Sequence, residues 1–275
     1  MSPSDADDAA TVDVDWIATH LGDPQVRLVE VDVGPAAYDE GHIPGAVLWN
    51  AYTDLRDQNY RPRGAREASA FAVALRHSSD TCVVTHGYAA PLGFWLLKAH
   101  GHDDARILIG SRDQWAQAGQ EWSTDVPGPP DGDHPPLTEQ PALLASREAV
   151  EAAIGDPSAI LLDVRAESEY RGERFWPSGA TEDAGRAGRV PGSINVPIDS
   201  LRTADGSPKS REELGRVLEN AGVARDKAVI TYCTIGNRAS EAWFALRYLL
   251  GYPNARVYYG SWVEWGKAAD TRIET

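Results

Sequence analysis

A chain of 275 residues, 42% hydrophobic and 24% charged, has room for two domains of the usual size of about 100 to 150 residues and enough apolar content for a core in each. Its formal net charge of -15 gives no support to a nucleic-acid partner, which needs a basic patch to displace phosphate counterions, and obliges any anion site to reverse the surrounding field locally. No stretch approaches about 18 consecutive apolar residues, the acidic start "MSPSDADDAATVDVD" lacks the basic and apolar segments of a signal peptide, and the only cysteines, Cys82 and Cys233, form neither a disulfide framework nor a zinc-ligand spacing.

The expectation is therefore a cytoplasmic protein with two free thiols, no metal, no cofactor and no membrane segment. Residues 1–11 are expected to be a disordered acidic terminus, with a first domain over 12–122. Along that domain come "HLGDPQVRLVEVDV" (20–33), a helix tail, a Gly-Asp-Pro turn and a strand; "GHIPGAV" (41–47); the β-branched run "DTCVVTHG" (80–87); and "HGHDDARILIGSRDQW" (100–115). Residues 123–142 form the expected linker, since "STDVPGPPDGDHPPLTEQ" carries five prolines and no hydrophobic periodicity.

From 143 to 275 the same four segments return in the same order: "AIGDPSAILLDVR" (153–165), "GRVPGSI" (188–194), "KAVITYCT" (227–234) and "LGYPNARVYYGSWVEW" (250–265). Four matches in order imply a duplicated domain. Strands alternate with helical stretches such as "REELGRVLENAG" and "ASEAWFALRYLLG", which implies a parallel sheet covered by helices, hence an α/β class twice over. In the second of these helices Ala239, Ala242, Trp243, Leu246, Leu249 and Leu250 form one apolar stripe, and Gly251 supplies the stop, so the helix starts very near Arg238.

That order places Cys233 at the carboxyl end of a buried strand, where open α/β sheets present their ligand crevices. A core cysteine is the alternative, because free cysteine is among the most buried residue types. Three features favour a nucleophile. Gly236 permits a turn that a Cβ would obstruct, and Asn237 tolerates the left-handed region. A loop curled before a helix turns several of its backbone N-H groups inward, and the helix dipole adds to them. Arg238 then brings a permanent charge and a fork suited to two oxygens of an anion. Such a setting favours the thiolate without a histidine partner. Cys82, inside "TCVVT", reads as buried packing.

The marks "YDEGHIPGAV" (38–47), "LLDVRAESEYRG" (161–172), "YCTIGNRAS" (232–240) and "YYGSWVEWG" (258–266) resemble the rhodanese family, closely so its tandem-domain thiosulfate sulfurtransferases. The resemblance runs over nearly the whole chain from about residue 15. It implies two rhodanese-like domains, the first inactive. It also implies a ping-pong reaction in which Cys233 takes the sulfane sulfur of thiosulfate as a persulfide and passes it to a thiophilic acceptor such as cyanide. Thr234, Ile235, Gly236, Asn237 and Arg238 would bind substrate, while Arg165 and Glu264 support the loop from behind, Arg165 reaching the loop or pairing with Glu264. The six-residue loop is one residue shorter than the C-x5-R loop of cysteine phosphatases, which disfavours phosphate chemistry.

Two other readings remain open. One is a 3-mercaptopyruvate sulfurtransferase. The other is a persulfide carrier that delivers sulfur to a partner protein. Where some relatives carry a substrate-clamping arginine, this chain has Glu169. Arg189 replaces the histidine of "GHIPG" and stands either near the pocket or as a solvated charge. In the first half the expectation places His86 at the Cys233 position and Gly34 at the Arg165 position, with the cradle lost. Trp49 or Trp95 would shape access to the crevice.

Overall fold

The computed structural model describes residues 10–57, 81–128 and 138–275. The expectations for residues 1–9 and for the centre of the linker, 129–137, lie outside these. The chain divides into two units, Met1–Gln140 and Pro141–Thr275.

The first unit holds one sheet in the order β1-β5-β4-β2-β3, built from Thr11–Val12, Val26–Asp32 (β2), Val47–Asn50 (β3), Cys82–His86 (β4) and Ala105–Leu108 (β5), with every pairing parallel. Residue 11, assigned above to a disordered terminus, belongs to β1, where Thr11 and Val12 pair with Ile107 and Leu108. β4 is buried at all five positions because helices cover both faces of a parallel sheet, and the covering helix Ala90–Ala99 is itself buried at eight positions. The start of the expected linker is tied to this unit, since Ser123 exchanges backbone hydrogen bonds with His42 at 2.8 and 2.9 Å. Cys82 packs with Val12, Leu28, Val84 and Trp115, and burial pushes its thiol up to about 12.

The second unit repeats the central order, β7-β6-β8-β9, from Ala159–Asp163 (β6), Ile194–Asn195 (β7), Ala228–Tyr232 (β8) and Ala255–Val257 (β9), again all parallel. Side-chain bonds fix the correspondence between the units. Thr85 donates to the carbonyls of Ala90 and Arg106, and Thr231 to those of Ala239 and Arg256. The same register pairs Glu30 with His86 and Asp163 with Tyr232.

Two expectations are corrected by this match. The counterpart of Cys233 is Gly87, not His86, which corresponds to Tyr232. The counterpart of Arg165 is Asp32, not Gly34, because the Gly-Asp-Pro turns lead into β2 and β6 in step. Between threonine and bonded carbonyl the first unit spends five residues and the second eight, so the cradle is missing from the first unit by three residues. His86 is buried among Arg112 and His42, and burial drives its imidazole down to about 3, leaving it neutral. Trp49 and Trp95 are 5% and 0% exposed, so both are buried.

Candidate active-site loop around Cys233

β8 lies between β6 and β9, and its last residue, Tyr232, donates to Ser193 Oγ at 3.0 Å and accepts from the Val190 N-H. Cys233 follows at the strand's carboxyl end. The helix Asn237–Phe244 begins four residues later, one residue before the expected start, and its buried face carries Ala239, Ala242 and Trp243 as the stripe required, with Leu246 buried beyond it. Leu249 and Leu250 are only partly buried, because the helix loosens into a π turn over Ala245–Leu249 before Gly251.

Three sets of bonds hold the loop. The first is backbone to helix: in the helix Ser261–Lys267 the N-H groups of Trp262 and Val263 donate to the carbonyls of Cys233 and Thr234, both at 2.9 Å. Ser261 adds its Oγ as acceptor for the Cys233 N-H at 3.2 Å and donates to Tyr258 O. It does so from φ 50°, a conformation a residue with a side chain adopts at a cost of about 1 to 3 kcal/mol. The second set is the sulfur itself. The Gly236 N-H donates to Cys233 Sγ at 3.0 Å, from a glycine at φ 96° whose missing Cβ would lie 2.3 Å from the Tyr259 ring.

The third set is ionic. Arg238 donates from Nη1 to Glu169 Oε2 at 2.8 Å and from Nη2 to Oε1 at 2.9 Å, and Nη2 also reaches Thr234 Oγ1 at 2.6 Å. Thr234 in turn donates to Glu169 Oε1 at 2.6 Å, and the Ala166 N-H donates to Oε2. Glu169 is 0% exposed, so a carboxylate is held inside the protein with every oxygen bonded. The arginine fork assigned above to an anion is thus closed on Glu169.

Burial alone would raise the Glu169 carboxyl. The hydrogen bonds and charge of Arg238, the Thr234 hydroxyl and the charge of Arg165 outweigh it and hold the carboxyl below its ordinary 4.5. Burial likewise opposes the charge on Arg238, but its bonds to Glu169 and the proximity of Cys233 prevail, and its pKa rises. A carboxyl that is more acidic in the folded than in the unfolded state binds fewer protons when folded. Its stabilisation is therefore complete above pH 4.5 and is lost as pH falls through the depressed folded value. Urea midpoints measured from neutral to acid pH will fall more steeply for the native chain than for Glu169→Gln; parallel curves would remove Glu169 from this account.

Arg165 is fully buried behind the loop. It binds both oxygens of Asp163, at 2.7 to 3.1 Å, donates to Gly188 O at 2.7 Å and lies 4.4 Å over the Trp262 ring. It does not pair with Glu264. The Glu264 carboxylate instead folds back over Gly260, where a Cβ would be 2.0 Å from Oε2. Arg189 is bonded to Glu274 and stacked on Tyr170, as His42 is stacked on Tyr38, so it props the turn that His42 props in the first unit. Ile235, Asn237 and Arg238 are the partly exposed members of the loop, while Cys233, Thr234 and Gly236 are buried.

Sequence reasoning passed over Glu169 as a bonding partner, and also Asp163, Ser261 and Tyr259. The one signal available was the charged residue that ends the apolar strand "AILLD", Asp163; Glu169, in the polar run "RAESE", carries no such mark.

A family model described as a rhodanese-like domain matches residues 13–118 and 146–268. The chain is 39% identical over 271 residues to the sulfur carrier protein TtuD of Thermus thermophilus, covering 95% of each. It is 37% identical over 284 residues to a protein of Haloferax volcanii named "Putative thiosulfate sulfurtransferase", covering 100% of this chain and 99% of that one. Among solved structures it superposes on the anaerobic ergothioneine biosynthesis enzyme of Chlorobium limicola with a TM-score of 0.87, 24% identity and coverage of 98% of this chain and 71% of that one, which is a likeness of fold.

Proposed function

The chain belongs to the rhodanese family of sulfurtransferases, and on that premise we propose that Cys233 carries sulfane sulfur as a persulfide, taking it from thiosulfate and giving it to a thiophilic acceptor such as cyanide. The observation that carries this reading is the Gly236 N-H aimed at Cys233 Sγ at 3.0 Å, at the mouth of a helix. A donor already in place stabilises negative charge on that sulfur in both the thiolate and the persulfide without reorganisation.

In the first half-reaction the thiolate attacks the outer sulfur of thiosulfate. A bond forms between Sγ and that sulfur, the sulfur-sulfur bond of thiosulfate breaks, and its electron pair leaves with sulfite. In the second, cyanide attacks the terminal sulfur of the persulfide, thiocyanate departs, and the electron pair returns to Sγ. Neither step requires a proton, which agrees with a cysteine that no histidine bonds among the described residues.

A second reading, a carrier that hands its sulfur to a partner protein, is favoured by the closed Arg238–Glu169 pair, which leaves that fork unavailable to a small anion, and by the similarity to a sulfur carrier protein. A panel of thiosulfate and 3-mercaptopyruvate, read by intact mass and by turnover with cyanide, tests both. Gain of one sulfur atom at Cys233 together with steady turnover supports the enzyme. Gain without turnover supports the carrier, and no gain from either donor sinks the persulfide altogether.

A further inference from the structure

The charges built into the loop sum to zero. Two guanidiniums, Arg165 and Arg238, meet two carboxylates, Asp163 and Glu169, in pairs at 2.7 and 2.8 Å, and three of the four side chains are fully buried. Among the described residues, what remains in the loop to attract an anion is the Gly236 N-H and the amino end of the Asn237–Phe244 helix, together equivalent to roughly half a unit charge. That suits a single negative charge on sulfur and offers little to a second one.

We propose that Glu169 is a positioning residue that tunes the site to the charge of the sulfur donor: by closing the fork of Arg238 it holds down affinity for dianionic donors, thiosulfate included, so that thiosulfate binds weakly and donors that bring one negative charge compete with it. The inference rests on the persulfide reading of Cys233 above. Thiosulfate approaches as a dianion and leaves sulfite behind with both charges. A monoanion such as 3-mercaptopyruvate delivers the same sulfur atom: its carbon-sulfur bond breaks, the electron pair goes to the enolate carbon, and that carbon takes the proton of the thiol to give pyruvate.

Removing the Glu169 charge leaves Arg238, whose side chain is 20% exposed, without its carboxylate partner beside Cys233. An incoming dianion would then supply the missing partner. The bond geometry gives this a definite direction, because the Nη atoms that now face Glu169 are the same ones that would turn to the donor.

The test is persulfide formation, followed by intact mass and by rate, with thiosulfate and with 3-mercaptopyruvate, in the full chain and in Glu169→Gln. The ratio of kcat/KM for thiosulfate over 3-mercaptopyruvate should rise about tenfold in the variant, through KM for thiosulfate more than through kcat, as expected for one unit charge at a partly solvated site. In the double variant Glu169→Gln with Arg238→Gln the gain should vanish. An unchanged or lower ratio, or a gain that survives loss of Arg238, overturns the proposal while leaving the persulfide intact. Failure of the native chain to load from either donor strikes the persulfide reading itself. Should Glu169→Gln not fold, the native chain still decides: at matched ionic strength sulfate should inhibit loading no better than formate, and stronger inhibition by the dianion overturns the proposal.

Discussion

Cys233→Ser will form no thiocyanate from thiosulfate and cyanide above the uncatalysed rate, a loss of more than about 10³-fold, and will show no sulfur adduct by mass. The reason is chemical rather than structural. A serine hydroxyl at that position can still accept the Gly236 N-H that now reaches Sγ at 3.0 Å, so the loop keeps its closing bond. The backbone bonds from Trp262 and Val263 to the carbonyls of residues 233 and 234 do not involve the side chain at all. What is lost is a polarizable sulfur nucleophile that forms a stable bond to sulfur. The variant should therefore unfold within about 1 kcal/mol of the native chain, since the change in a fully buried side chain is close to isosteric. Native-like activity in the serine variant would transfer the chemistry elsewhere, and Cys82 is no candidate, because burial holds its thiol far above neutral pH.

The reach of sequence reasoning follows from what each inference needs. The duplicated α/β architecture was readable because its marks are contiguous: a Gly-Asp-Pro turn leading into a β-branched strand recurs at 22–24 and 155–157. The loop was readable for the same reason, since Cys233 to Arg238 lies in six consecutive residues. The use of Arg238 was not, because its partner is 69 residues away in sequence and becomes a neighbour only when β6 and β8 pair. A buried carboxylate also resembles a surface one until its four donors are seen. The one-residue error at His86 has a different cause. Two short apolar strands can be aligned in either of two neighbouring registers, and the hydroxyl bonds of Thr85 and Thr231 to the chain that follows them, with the pairing of each strand to β2 or β6, separate the two. Arg165 illustrates the limit on pairing by proximity in sequence: Glu264 was a plausible partner, yet Asp163 is two residues away on the same strand end and captures the fork.

Gly236→Ala will damage stability and rate together. At φ 96° an alanine sits in the left-handed region, and its Cβ would meet Tyr259 Cδ2 at 2.3 Å and Cε2 at 2.7 Å. The ring has nowhere to go, because Tyr259 is 2% exposed and the backbone carbonyl of the same residue stands 3.2 Å from the new atom. Backbone strain and overpacking of this kind each cost about 1 to 3 kcal/mol, so a loss of roughly 2 to 5 kcal/mol in urea unfolding is expected. Relief can come only by moving residue 236 away from Tyr259, which carries its N-H away from Cys233 Sγ. Loss of one such preorganised donor lowers the rate by on the order of 10²-fold, here read as sulfur loading per folded molecule. Gly87, the first unit's counterpart of Cys233, supplies a control: at φ 90° its Cβ would lie 3.0 Å from Val31 O, so Gly87→Ala also destabilises, but the loading rate per folded molecule should hold. If Gly236→Ala lost stability and kept its loading rate, the N-H at 3.0 Å would be a structural bond only, and the electrostatic preparation of the sulfur would have to come from the helix end alone.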